Sequence, residues 1–154
     1  MGRVLIAGIG NIFLGDDGFG PEVARRLVTE GGWPEDVEVA DAGIAGLHLA
    51  YRLLEGYQLF IAVDAIRRGE VPGTLYVLEP ADDDSLTQPD AHSIDLPSVF
   101  AMLRSLGGSL GRVLVVGCEP AELDERMGLS PAVQAAVEPA MRRVRQLAEG
   151  AGPS

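Results

Sequence analysis

Between positions 4 and 21 the chain reads Val4-Leu5-Ile6-Ala7-Gly8-Ile9-Gly10-Asn11-Ile12-Phe13-Leu14-Gly15-Asp16-Asp17-Gly18-Phe19-Gly20-Pro21. The apolar run at 4–7 predicts a buried strand, which the glycines at 8 and 10 bring to an end. Pro21 suits the first turn of a helix, where its missing N–H has no intrahelical partner to lose. That helix continues on Val23, Ala24, Leu27 and Val28 until Gly31-Gly32 stops it. A buried strand, a glycine-rich loop and a helix together form the first unit of an α/β domain.

The same alternation recurs along the chain. Residues 37–40 predict a second strand. Leu47, Ala50, Tyr51, Leu53 and Leu54 mark one helical face, which ends at Gly56. Residues 59–63 are apolar on both faces, which predicts a central strand. Residues 74–78 predict a weaker strand, antiparallel at an edge. Residues 79–91 are polar, with Asp82-Asp83-Asp84 and two prolines, and predict a loop. A helix at 97–106, a strand at 113–116 and a helix at 132–147 follow. Arg142, Arg143 and Arg145 fall near the expected end of that last helix, where cations suit its dipole. Residues 150–154 are expected to fray. The order β-α-β-α-β-β-α-β-α predicts a three-layer α/β/α sandwich, with a mostly parallel, mixed sheet of about five strands. No period of 20–50 residues repeats, and no linker interrupts the pattern, so residues 1–154 are expected to form a single domain.

Composition narrows the chemistry. The 154 residues are 47% hydrophobic and 23% charged, as in a soluble globular domain. All 12 basic residues are Arg, so P-loop lysines, Schiff-base lysines and Ser-Lys dyads are excluded. A single cysteine, Cys118, excludes an internal disulfide and any cysteine-based zinc or iron–sulfur site. Two histidines, His48 and His92, cannot build a three-histidine metal site. The net charge of -11 argues against binding nucleic acid or an anionic membrane. There is no signal-type segment and no apolar run of about 18 residues, so no membrane association is expected. A reduced, cytoplasmic setting fits the lone thiol.

Ligands of open α/β sheets bind outside the carboxyl ends of the strands. After the first strand come Asp16 and Asp17. After the second comes Asp41-Ala42-Gly43, and directly at the end of the third comes Asp64. His92 closes the long loop, and Gly117-Cys118-Glu119-Pro120 follows the fifth strand. Gly8-x-Gly10 invites a nucleotide-binding reading, but the third glycine of a dinucleotide fingerprint is replaced by Phe13, and two carboxylates would face the pyrophosphate. Asp17, Asp64 and His92 offer two carboxylates and an imidazole, a set that suits a divalent first-row metal. Competing readings stand beside this one. Asp16 or Asp17 would also serve to cap the helix that begins near Gly20 or Pro21. His92 would also fit a solvated loop, and His48 a packed or surface helix position. Asp64 at a buried strand end requires partners of some kind. Cys118, beside Glu119, reads as a small buried side chain rather than a nucleophile, because a neighbouring carboxylate raises a thiol pKa.

The ordered set Gly8-x-Gly10-Asn11-x-x-x-x-Asp16-Asp17-Gly18-x-Gly20, Asp41-x-Gly43-x-x-Gly46, Val63-Asp64-Ala65 and His92 resembles the hydrogenase maturation endopeptidases over nearly the whole chain. The resemblance implies a mixed α/β sandwich of phosphorylase/hydrolase-like type. It implies a cytoplasmic endopeptidase that removes the C-terminal extension of a [NiFe]-hydrogenase large-subunit precursor after nickel insertion. By matching position, Asp17, Asp64 and His92 are the implied metal ligands and catalytic-site residues. The first of these is often Glu in the family, which makes Asp17 a shorter variant. Asp16 is a candidate general base if water is the nucleophile. Asp41 and Gly43 match a segment associated with substrate recognition. The implied nickel is that of the precursor, and no organic cofactor is expected. Two further readings are a non-catalytic nickel chaperone or sensor, and a nucleotide-binding module built on the Gly8–Gly10 loop.

Overall fold

The computed structural model describes residues 2–43, 46–79 and 96–150. His92, most of the polar stretch expected as a loop at 79–91, and residues 151–154 lie outside the described residues. The elements are strand β1 (Val4–Ile9), helix α1 (Phe19–Glu30), strand β2 (Val37–Gly43), helix α2 (Gly46–Leu53), strand β3 (Leu59–Ala65), strand β4 (Leu75–Leu78), helix α3 (Leu96–Ser105), strand β5 (Arg112–Cys118) and helix α4 (Pro131–Gly150). A 3₁₀ turn, Gly15–Gly18, leads directly into α1. The predicted order of elements is the observed one, with that turn added.

The sheet runs β2-β1-β3-β5-β4. Four strands are parallel, and β4 pairs antiparallel with β5 at the edge. β3 is central because its apolar residues face both layers. Leu59, Ile61 and Val63 join Val4, Ile6, Leu114 and Val116 beneath α1 and α4. Phe60 and Ala62 join Leu5, Ala7 and Val115 beneath α2 and α3. The period-2 alternation of side chains thus builds both cores from the same strands. Phe60 meets Phe100 of α3 edge to face, with ring centroids 6.2 Å apart. Among the described residues no helix is long and apolar enough to cross a membrane.

Some expectations change at the ends of elements. Val28 on α1, and Tyr51 and Leu54 at α2, are exposed rather than packed. The buried stripe of α1 keeps the expected Val23, Ala24 and Leu27 and adds Phe19, Gly20 and Pro21. Helix α4 runs on to Gly150, so no arginine lies in its last turn. Arg145 has a different role: its guanidinium stacks 4.0 Å from the Trp33 ring centroid and donates to the Gly31 carbonyl at 3.0 Å.

The position of α1 depends on two glycines. A Cβ on Gly20 would lie 2.2 Å from the Val63 carbonyl oxygen and 2.3 Å from that of Ile9. A Cβ on Gly8 would lie 2.2 Å from the Gly20 carbonyl oxygen. The helix therefore begins in direct backbone contact with β1 and β3. Gly20→Ala is expected to destabilise the fold by about 3 kcal/mol or more, because every neighbour is backbone and none can rotate away. Gly150→Ala, with open space around it, is expected to stay within about 0.5 kcal/mol of wild type. Paired urea melts check both values.

Candidate active site

The carboxyl ends of β1 and β3 lie side by side, with Gly8 paired to Val63. Asp64 is the next residue on β3 and is 8% exposed. Its Oδ1 accepts the Ala65 N–H at 2.8 Å. Asp17 comes from the 3₁₀ turn and is 3% exposed. Its Oδ2 accepts the Asn11 N–H at 2.8 Å, which ties the turn back to the residue just past β1. Gly10 allows this approach: at φ +143° it has no side chain where a Cβ would lie 1.9 Å from the Asp17 carbonyl oxygen. Two carboxylates therefore sit buried at the rim where open α/β sheets bind ligands. Oxygen donors of this kind suit a divalent metal. Among the described residues no three acidic, histidine or cysteine side chains form a metal-holding group. The third residue of the expected set, His92, lies outside them.

Asp16 and Asp17 do different things. Neither side chain caps the 3₁₀ turn or α1. Asp16 is fully buried. Its Oδ1 accepts the Ser130 N–H at 2.7 Å, and its Oδ2 accepts the Ser130 hydroxyl at 2.8 Å and the Ala121 and Glu122 N–H groups at 2.8 and 2.9 Å. Burial pushes this carboxyl upward in pKa, but the hydrogen bonds outweigh it and hold the group below its ordinary range. Asp16 fastens the segment between β5 and α4 to the 3₁₀ turn.

Glu119, just past β5, has the matching position on the other side of Asp64. It is 3% exposed. Its Oε1 accepts the Arg68 and Glu70 N–H groups at 2.9 and 3.1 Å and the Tyr76 hydroxyl at 2.5 Å. Burial raises its pKa, and these donors more than reverse the shift. Glu119 thus holds the loop that follows Asp64, with Tyr76 of β4 as a support. The sequence places Glu119 after the fifth strand, beside Cys118, but assigns it no role. The available signal was its place after a buried strand, where a carboxylate requires partners. Ser130 was also missed. It precedes Pro131, the first residue of α4, a position where helices start.

Asp41 and Gly43 lie on β2, beside Gly8 and Ile9 in register. They are at the same rim, one strand away from Asp64. His48 is an exposed residue of α2. Gly8, Gly10 and Gly20 are occupied with backbone packing, which accounts for the glycine pattern without a nucleotide. Phe13 and Met127, both exposed, flank an open cleft of about 560 Å³ that begins at Asn11.

Cys118 is fully buried, and its pKa is pushed up to about 12, first by burial and then by the charges of Asp16 and Glu119. Iodoacetamide is expected to leave it unmodified at pH 8 until denaturant unfolds the chain, as mass spectrometry would show. Asp16 and Glu119 make the stability of the fold depend on pH on the acid side. Their folded pKa values lie below the ordinary 3.8 and 4.5. Their contribution is therefore complete above about pH 4.5 and is lost as pH falls through the lower folded values. Urea midpoints should hold between pH 7 and pH 5 and fall progressively below pH 4.

Comparison with known proteins agrees with this geometry. A family model described as hydrogenase maturation protease matches residues 21–147. The hydrogenase 2 maturation protease of Escherichia coli strain K12 is 31% identical over 144 residues, covering 92% of this chain and 88% of the relative. The hydrogenase expression/formation protein HupD of Rhodobacter capsulatus is 34% identical over 152 residues, 94% of this chain and 71% of the relative. The solved structure of the hydrogenase maturating endopeptidase HybD from E. coli superposes with a TM-score of 0.84 at 32% identity, covering 97% of this chain and 94% of that one. The chain belongs to the hydrogenase maturation protease family, and its class of activity is that of a peptidase.

Proposed function

We propose that this peptidase removes the C-terminal extension of a [NiFe]-hydrogenase large-subunit precursor after nickel insertion, and that it reads the nickel through Asp17, Asp64 and His92. The observation that carries the reading is the pair of buried carboxylates, Asp17 and Asp64, on neighbouring elements at the carboxyl rim of the sheet. Family membership makes a hydrogenase precursor the natural substrate. The nickel is part of that substrate and supplies a coordination anchor. The chain's own residues supply two oxygen donors and an imidazole nitrogen, a set suited to a divalent first-row ion. Their backbone hydrogen bonds to Asn11 and Ala65 hold the two carboxylates in place before the precursor arrives. Asp41 and Gly43, on β2 at the same end of the sheet with β1 between them and β3, are the residues we assign to recognition of the polypeptide. Asp16 acts here as a structural anchor, since its four hydrogen bonds all go to the segment after β5. The single thiol, unpaired and buried, fits a reduced cytoplasmic setting.

The test is a gel-shift assay on purified precursor. Wild-type protein should shorten nickel-loaded precursor and leave nickel-free precursor intact. Asp64→Asn and Asp17→Asn should each slow processing by about 100-fold, the scale of losing a metal contact. Processing at the wild-type rate by both variants would remove the two carboxylates from the site. Calorimetric titration of free protein with nickel should show no tight binding, whereas a nickel chaperone would bind the free ion tightly.

A further inference from the structure

We propose that Asp16 is the positioning residue of the candidate site: its buried carboxylate clamps the segment between β5 and α4 to the 3₁₀ turn and thereby fixes where the Asp17 carboxylate stands. The proposal rests on the reading of Asp17 as a residue that meets the substrate's nickel. Among the described residues, every donor to the Asp16 carboxylate comes from residues 121, 122 and 130, more than 100 positions away in sequence. None of these donors is charged. The backbone adds to the clamp: Asp16 N–H donates to the Glu122 carbonyl at 2.8 Å, and Gly15 N–H to the Arg126 carbonyl at 2.7 Å. Gly15, at φ +57°, makes the close approach possible, since a Cβ there would lie 2.8 Å from the Glu122 carbonyl oxygen.

Asp17 stands between two supports. On one side its carbonyl packs over Gly10 and its Oδ2 receives the Asn11 N–H. On the other side its chain neighbour, Asp16, is fixed at both carboxylate oxygens. Loss of the Asp16 carboxylate removes four of the bonds that tie the 3₁₀ turn to the segment after β5 and leaves the backbone bonds of Gly15 and Asp16 to hold it, a weaker fixing of the turn relative to β3. An ionised carboxylate suits the task because both oxygens only accept, and four donors converge on them. Loosely supported contact residues lose activity through small displacements.

The chain contains one asparagine, Asn11, so labelling with ¹⁵N-asparagine gives a single backbone amide signal. That amide donates to Asp17, and its chemical shift reports the position of the Asp17 carboxylate. Asp17→Ala protein supplies the shift that marks the broken bond. In Ser130→Ala, which removes one of the four hydrogen bonds, and in Asp16→Ala, the Asn11 signal is expected to move toward the Asp17→Ala position. The kcat/KM on nickel-loaded precursor is expected to fall by about tenfold in Ser130→Ala. Should Asp16→Ala fail to fold, Ser130→Ala carries the test, with circular dichroism as the check on folding. An Asn11 signal that stays at its wild-type position in folded Ser130→Ala protein overturns the proposal, because the clamp would then hold only the distant segment. Normal processing by Asp17→Asn strikes instead at the functional reading, and the amide shift still decides whether Asp16 positions Asp17.

Discussion

Helix α1 meets the sheet backbone to backbone, through Gly8 and Gly20, and the geometry of the rim follows from that contact. Most helices in α/β folds rest on side chains, about 10 Å from the sheet. Here the first turn of α1 comes much closer, and the segment that feeds it has little room. Residues 10–18 must fold back within the space between the end of β1 and the start of the helix. The 3₁₀ turn, the positive φ of Gly10 and Gly15 and the bond from Asn11 to Asp17 satisfy that constraint. Asp17 is thereby brought to the edge of the sheet beside Asp64.

The two ends of the sheet solve opposite problems. At the amino end, Arg3, Arg52, Glu38, Glu55 and Tyr57 form a partly exposed network in which each carboxylate has an arginine within reach. Such pairs are screened by water and add modest stability. At the carboxyl end, Asp16 and Glu119 are buried and are held by neutral donors: backbone N–H groups and the hydroxyls of Ser130 and Tyr76. Neutral donors leave the negative charge of the rim largely intact.

Much of the fold was legible because each core strand announces itself. Residues 4–7 and 59–63 are continuous apolar runs, and the helices between them carry an apolar stripe at helical spacing. The antiparallel edge was also legible, since β4 is short. Strand order was not, because it depends on which crossovers pack, and no local pattern encodes that. The end of α4 was misread since alanine and glutamate carry a helix past Leu147 with no stop signal before Gly150. At the site, the rule that ligands gather at strand ends picked out Asp17 and Asp64. Glu119 and Ser130 escaped because their importance lies in contacts with residues distant in sequence, 43 to 51 positions away for Glu119 and 114 for Ser130. No spacing rule within one segment reports such contacts.

Adjacent aspartates are the point at which sequence and structure differ most in what they say. In sequence Asp16 and Asp17 look interchangeable, and either would serve as a cap or a ligand. In a 3₁₀ turn successive side chains leave the axis about 120° apart. One carboxylate therefore faces the segment after β5 while the next faces Asn11. The first is saturated with hydrogen bonds and serves as an anchor. The second accepts the Asn11 N–H on Oδ2 and stands at the rim. Lengthening Asp16 to Glu would keep the charge and add a methylene. That would push a buried group into donors that already converge at 2.7–2.9 Å, and a packed interior has no space to absorb it. The geometry therefore restricts position 16 to the shorter acid.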